Sequence, residues 1–194
     1  MRLLCAEARV QWHKVRAGMV AAEEWSRISD AAAVLDPAPL YIVDSGNTTI
    51  VDLRAKARRL KSRQGLGVLI VDYLQLMTSH QRVDNRQQEV AEISRSLKML
   101  AKELDVPVIA VSQLNRDPER RTDKKPQLAD LRESGALEQD ADIVLFIHRD
   151  PLSEEIDKKG LAEVIIAKHR NGPLGKVTLT WLEHLTQFRD YAKG

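Results

Sequence analysis

Three observations predict an α/β domain with a mostly parallel central sheet and an antiparallel flank. Gly67-Val68-Leu69-Ile70-Val71-Asp72 is aliphatic until its last residue, and Val106-Pro107-Val108-Ile109-Ala110-Val111 is apolar throughout. Such runs are the pattern of strands covered on both faces, as in a parallel sheet. Between them lies one long helix-period segment, the spacing of a β-α-β crossover. Beyond residue 140 the apolar runs follow each other through turns, which is the spacing of antiparallel neighbours.

Taken in order, residues 1–35 are expected to be a helical lead-in, because Leu3, Leu4, Ala8 and Val10 share a face and Ala21 to Leu35 is rich in helix formers. Asp36-Pro37-Ala38-Pro39 breaks it. Residues 36–194 are expected to form the sheet core of the same single domain. Leu40 to Val43 reads as a short strand. Thr49-Ile50-Val51-Asp52 is a capping box opening a helix that Gly65 ends. A helix from about Gln87 to Leu104 buries the stripe Val90, Ile93, Leu97, Leu100 and Leu104, spaced by three and four. Ile143 to Ile147, Ala162 to Ala167 and Val177 to Trp181 are three further strands, the last alternating and so nearer the sheet edge.

The 194 residues are 43% hydrophobic and 30% charged, with net charge +2. That balance is ordinary for a globular chain and too small to imply a polyanion partner, so a nucleic-acid reading must rest on local clusters. Cys5 is the only cysteine, which excludes an internal disulfide and fits a reducing compartment. No apolar run reaches bilayer length and Met1 opens amphipathic sequence, so a cytoplasmic protein with no membrane partner is expected.

The chemistry gathers at strand ends. Asp72 closes the first run at the strand's carboxyl end, the edge where open α/β sheets bind ligands, and an Asp there can hold a nucleotide's Mg²⁺. A strand-terminal Asp can equally cap a turn. Gln113 lies just past the second run, where an amide can meet a terminal phosphate or satisfy nearby backbone. The loop from Arg116 to Lys125 places Arg116, Arg120, Arg121, Lys124 and Lys125 among three carboxylates. It suits a phosphate backbone or plain solvent, and without aromatics it offers no base stacking. Lys168-His169-Arg170-Asn171-Gly172-Pro173 sets two cations around a histidine at a turn. An Arg there can act as a finger on a neighbour's nucleotide, or form a basic hairpin tip. The basic residues of the helix over 49–64 read as a solvated face.

One element of nucleotide chemistry is missing. The phosphate cradle G-x-x-x-x-G-K-[ST] does not occur between residues 1 and 194. Gly172-Pro173-Leu174-Gly175-Lys176-Val177 is too short, ends without a hydroxyl and leads into a strand, so it reads as a hairpin turn.

Several stretches in one order resemble the C-terminal motor domain of DnaB-type replicative DNA helicases. They are Ile70-Val71-Asp72-Tyr73-Leu74-Gln75-Leu76-Met77, Asn85-Arg86-Gln87-Gln88-Glu89-Val90, Ser112-Gln113-Leu114-Asn115-Arg116, Asp130-Leu131-Arg132-Glu133-Ser134-Gly135, Glu138-Gln139-Asp140-Ala141-Asp142 and Lys168-His169-Arg170-Asn171-Gly172-Pro173. The resemblance covers essentially the whole chain. It implies a RecA-like P-loop NTPase core and a hexameric ring that uses ATP and Mg²⁺ to move on single-stranded DNA, with primase and a helicase loader as further partners. It makes Asp72 the Walker-B carboxylate acting on Mg²⁺. Gln113 would link the γ-phosphate to the DNA loops. Arg132, Glu133 and Gly135 match the DNA-backbone loop, with Arg116 a weaker candidate. Lys168 and Arg170 match the basic pair that reaches the adjacent subunit's ATP, Arg170 being the finger. The family's Walker-A loop and catalytic glutamate lie upstream of the segment resembling Met1 to Val10, and Glu7 does not inherit that glutamate's role. The chain therefore reads as an N-terminally truncated motor domain, inactive alone. The alternative is a non-enzymatic subunit that binds DNA or modulates an intact ring. A recombinase-like ATPase fits less well, because the Asn85 to Val90 and Asp130 to Gly135 stretches resemble the helicases.

Overall fold

The structure is a computed structural model. It describes residues 1–46, 48–78, 85–114, 125–150 and 160–191, apart from the side chains of residues 132–134. In chain order the elements are α1 (Arg2–Ala8), α2 (Trp12–Ala17), α3 (Ala22–Leu35), α4 (Ile50–Gln64), β1 (Leu69–Val71), α5 (Arg86–Leu104), β2 (Val108–Ala110), α6 (Gly135–Asp140), β3 (Ile143–His148), β4 (Leu161–His169), β5 (Gly175–Leu182) and β6 (Gln187–Asp190). β1 and β2 form a two-stranded parallel sheet, and β3-β4-β5-β6 follow in that order in a second sheet. The predicted α/β class, with a parallel pair and an antiparallel flank, is what the chain adopts.

Two compact units arise, one from Met1–Val43, Ile147–Ile165 and Gly175–Gly194, the other from Asp44–Phe146 and Ile166–Leu174. In the first, the expected helical lead-in consists of three helices. Left-handed residues end the first two, Arg9 at φ 52° and Gly18 at φ 70°. Ala8, Val10, Ile28 and Ala31 form its small core. β5 and β6 pair antiparallel, bringing the Trp181 and Phe188 ring centroids to 4.7 Å.

The second unit is built around α4 and α5. Thr49 caps α4 as the sequence predicts: its Oγ1 accepts from the Asp52 N–H at 3.2 Å while the Asp52 carboxylate accepts from the Thr49 N–H at 3.4 Å. Gly65 ends the helix at φ 82°, a conformation that strains a side chain. The Asn85 side chain caps α5 by accepting from the Gln87 N–H at 2.9 Å. Val90, Ile93, Leu97, Leu100 and Leu104, the predicted stripe, are all buried. Ile93 and Leu97 pack with Val71, Leu74 and Met77, and Leu100 and Leu104 pack with Ala57 and Val106. Each such buried aliphatic side chain contributes about 1.5–3 kcal/mol of hydrophobic free energy.

Three expectations need correction. Leu40 to Val43 is no strand: it makes no ladder pairing among the described residues and is exposed. A strand needs a partner for its backbone groups, and local β propensity cannot supply one. The two apolar strands are not covered on both faces: Ile70 is 58% and Ile109 52% exposed. The basic face of α4 is not merely solvated: Arg54 and Arg58 ion-pair with Glu103 of α5, and Lys61 donates to the Leu104 carbonyl.

Candidate functional site

Parallel pairing decides where the polar strand ends meet. Leu69 lies beside Val108, Ile70 beside Ile109 and Val71 beside Ala110. Asp72 and the Ser112-Gln113 pair therefore emerge at one carboxyl edge. The ladder runs on past the strands: the Val111 N–H donates to Val71 O and the Leu74 N–H to Val111 O, both at 2.9 Å. Leu74 and Met77, buried in the turn that follows, anchor the chain just beyond Asp72.

Gln75 locks the two tips together, and sequence reasoning gave it no role. Its Nε2 donates to Ser112 Oγ at 3.0 Å and to Gln113 O at 3.4 Å, while its Oε1 accepts from the Gln113 N–H at 3.4 Å. Arg86 Nη2, at the start of α5, donates to Gln75 O at 2.8 Å. Nothing local marks this residue, because its partners lie 37 and 38 positions away. Gln113 is thus fixed through its backbone while the residue stays exposed. Asp72 is exposed too, and no described hydrogen bond or ion pair engages its carboxylate. No group of three or more His, Cys, Asp or Glu forms a cation site among the described residues. A lone carboxylate nonetheless suits Mg²⁺ held mainly by phosphates and water. The donor set fits a nucleotide-borne ion and not a protein cage.

The end of β4 is organised the opposite way. Lys168 Nζ donates to the Glu138 carbonyl and, at 3.3 Å, to that of Gln139. It so satisfies the C-terminal turn of α6, where a cation also meets the negative end of the helix dipole. Arg170 donates from its backbone N–H to Asp142 O at 2.8 Å and from Nη1 to Asp142 Oδ1 at 2.9 Å. Lys98 of α5 pairs with the other carboxylate oxygen. The hydrogen bond from Lys98, then the charge of Lys98 and after it that of Arg170, hold the Asp142 carboxyl below the usual carboxylate range against the opposing effect of desolvation. The turn after β4 is tight: a Cβ on Gly172 would collide with the His169 ring where it now lies, so a larger residue there obliges that ring to move. That is the turn the sequence predicted.

The remaining candidates are only partly in view. Arg116 lies outside the described residues, as do Arg120, Arg121 and Lys124. Arg132 and Glu133 fall in a 3-10 segment, Leu128–Ser134, but their side chains lie outside those described. Asp130 anchors that segment's start by accepting from the Gln127 N–H at 2.7 Å. Gly135 opens α6 and is exposed. α6 is fastened to α5 by Ser94 Oγ donating to Asp140 at 2.7 Å. Among the described residues no helix is long and apolar enough to cross a membrane.

Comparison with known proteins identifies the family and the fold. The family described as DnaB-like helicase C terminal domain matches residues 1–190. The replicative DNA helicase DnaB of Mycobacterium leprae (strain TN) is 52% identical over 194 residues, all of this chain and 32% of that protein. That of Leifsonia xyli subsp. xyli (strain CTCB07) is 54% identical over 193 residues, 99% of this chain and 42% of that protein. The chain thus spans well under half the length of these relatives. Among solved structures, one described as an ATPase domain superposes with a TM-score of 0.93 at 39% identity, covering 98% of this chain and 69% of that one. A DnaB-like replicative helicase studied for its interactions with primase gives the same TM-score and identity, with 98% and 47% covered.

Proposed function

Since the chain belongs to the DnaB-like helicase C-terminal family, we propose that it is the distal part of an ATP-driven motor that translocates on single-stranded DNA and unwinds duplex, and that it is inactive alone. One observation carries the reading. Asp72 and Gln113 share one strand edge with the Asp72 carboxylate uncommitted, yet residues 1–194 contain no loop to cradle a triphosphate. Another segment or polypeptide must supply the cradle.

In that setting Asp72 takes up the Mg²⁺ that accompanies ATP, and the ion neutralises charge on the phosphates. Gln113, held by Gln75 through its backbone, presents its amide to the terminal phosphate. Arg170 serves as the finger toward the nucleotide of a neighbouring subunit, and Lys168 fixes the hairpin root from which it projects. The Arg132, Glu133 and Gly135 segment, with Arg116 close in sequence, contacts the DNA backbone, where cations and backbone amides give affinity without base specificity. A homo-hexameric ring, or a mixed ring with an intact helicase, supplies the neighbour. Primase is a partner by analogy with the solved relative, and a helicase loader completes the expected set.

The second reading, a non-enzymatic subunit that modulates an intact ring, is favoured by the absent cradle. Both readings expect the purified chain to hydrolyse ATP no faster than buffer. Turnover by the chain alone, abolished by Asp72→Asn, would refute the incomplete-site reading.

A further inference from the structure

The β1–β2 ladder continues past the end of β1, and its last rung is a side chain. Val111 bonds to the first chain on both sides: its N–H donates to Val71 O and its carbonyl accepts from the Leu74 N–H, both at 2.9 Å. In a parallel ladder the next residue to bond the partner strand is two positions on, here Gln113, and its partners are peptide groups further along that strand. The first chain has by then turned away into a 3-10 turn, Leu74–Leu76, held down by buried Leu74 and Met77. The turn's own amides point inward to it, the Leu76 N–H to Tyr73 O and the Met77 N–H to Leu74 O, both at 3.0 Å.

The Gln75 side chain takes the missing place. A primary amide carries the donor and the acceptor of a peptide group. Its Nε2 donates to Gln113 O and its Oε1 accepts from the Gln113 N–H, both at 3.4 Å, and Nε2 also donates to Ser112 Oγ at 3.0 Å. Arg86 donates to Gln75 O at 2.8 Å, so the residue is held from its backbone as well. Among the described residues the other bond to the Gln113 backbone is local, from Ser112 Oγ to Gln113 O at 3.3 Å.

We propose that Gln75 is a positioning residue: its amide extends the sheet by one rung and so fixes Gln113 relative to Asp72 across the carboxyl edge. The inference deepens the motor reading and rests on it. Asp72 meets the metal-bound phosphates and Gln113 the terminal phosphate, so the rung sets the spacing between the two groups that must act on one triphosphate. A misplacement of about 1 Å in such a group can cost about 100-fold in rate. The loss falls on kcat, because the phosphate cradle and not Gln113 carries ground-state binding.

Two measurements test it. In the 194-residue chain, amide hydrogen exchange is followed at Gln113. In a chimaera that places the unmatched upstream part of the Leifsonia xyli relative ahead of Met1, ATP hydrolysis is followed with single-stranded DNA. Gln75→Met and Gln75→Leu, which offer neither donor nor acceptor, should each raise Gln113 exchange at least fivefold while circular dichroism and thermal midpoint hold. Each should lower kcat at least tenfold, with KM for ATP within about twofold of the parent. Met99→Ala, on the exposed surface of α5, should match the parent in both. The proposal is overturned if Gln113 exchange is unchanged, if kcat is retained, or if KM rises while kcat holds. An idle parent chimaera with the exchange result intact would keep the rung and sink the motor reading; a chimaera that turns over regardless of residue 75 would do the reverse.

Discussion

The carboxyl edge of β1 and β2 and the hairpin end of β4 both present charged or polar groups, and they present them in opposite states. At the first, the backbone is tied down by Gln75 and the Asp72 carboxylate has no hydrogen bond or ion pair among the described residues. At the second, the cations are already engaged by the chain itself: Lys168 by the end of α6, Arg170 and Lys98 by Asp142. On the proposed function, the difference separates an edge open to an incoming ligand from a hairpin whose cations must exchange partners to act. For Arg170 the exchange is easy, because its ion pair is solvent-exposed and such pairs contribute about 0–1 kcal/mol. A phosphate dianion would compete readily with that carboxylate.

The largest effect that could break this contrast lies beneath the first edge. Leu97→Ala removes buried packing against Val71 and Leu74 and should cost about 2–5 kcal/mol of stability. Urea unfolding checks it; a loss under about 1 kcal/mol would mean that α5 does not position the edge. Next comes Lys168→Met, which deletes the cation capping α6 and should cost about 0.3–1 kcal/mol. Arg170→Met should cost less. If the two variants unfold at the same urea concentration, the distinction between a structural lysine and a releasable arginine is lost.

The smallest effect is the pH dependence of Asp142. Its carboxyl is depressed in the folded chain, chiefly by the Lys98 hydrogen bond. The stabilisation is therefore present above the ordinary carboxylate range and fades as pH falls through the lowered folded value. Asp142→Asn should destabilise slightly at neutral pH, by less than about 1 kcal/mol, and the gap from the parent should close in acid. A gap that persists or widens in acid contradicts the assignment.

What the sequence made legible was local or periodic. The Thr49 capping box, the Gly65 stop, the five-residue stripe of α5 and the Gly172 turn each follow from backbone geometry within a few residues. The shared edge was legible too, since two parallel strands joined by one crossover bring Asp72 and Gln113 to the same end. What stayed hidden depends on partners far along the chain. Glu103 recruits Arg54 and Arg58 from another helix, and Asp142 receives Lys98 and Arg170 from two other elements. No spacing rule marks such pairs. Burial of Ile70 and Ile109 falls short of the expectation because an aliphatic run marks a strand as apolar on both faces without saying which segment packs against each face.

The most direct measurement is rescue in trans. An intact DnaB relative whose own arginine finger has been replaced is mixed with this chain, and single-stranded-DNA-stimulated ATP hydrolysis is followed. Turnover restored by the chain, and lost again with Arg170→Ala while the mixed ring still sediments, is the predicted result. Mixed rings that stay silent with the unaltered chain, or that are equally active with Arg170→Ala, would contradict the account.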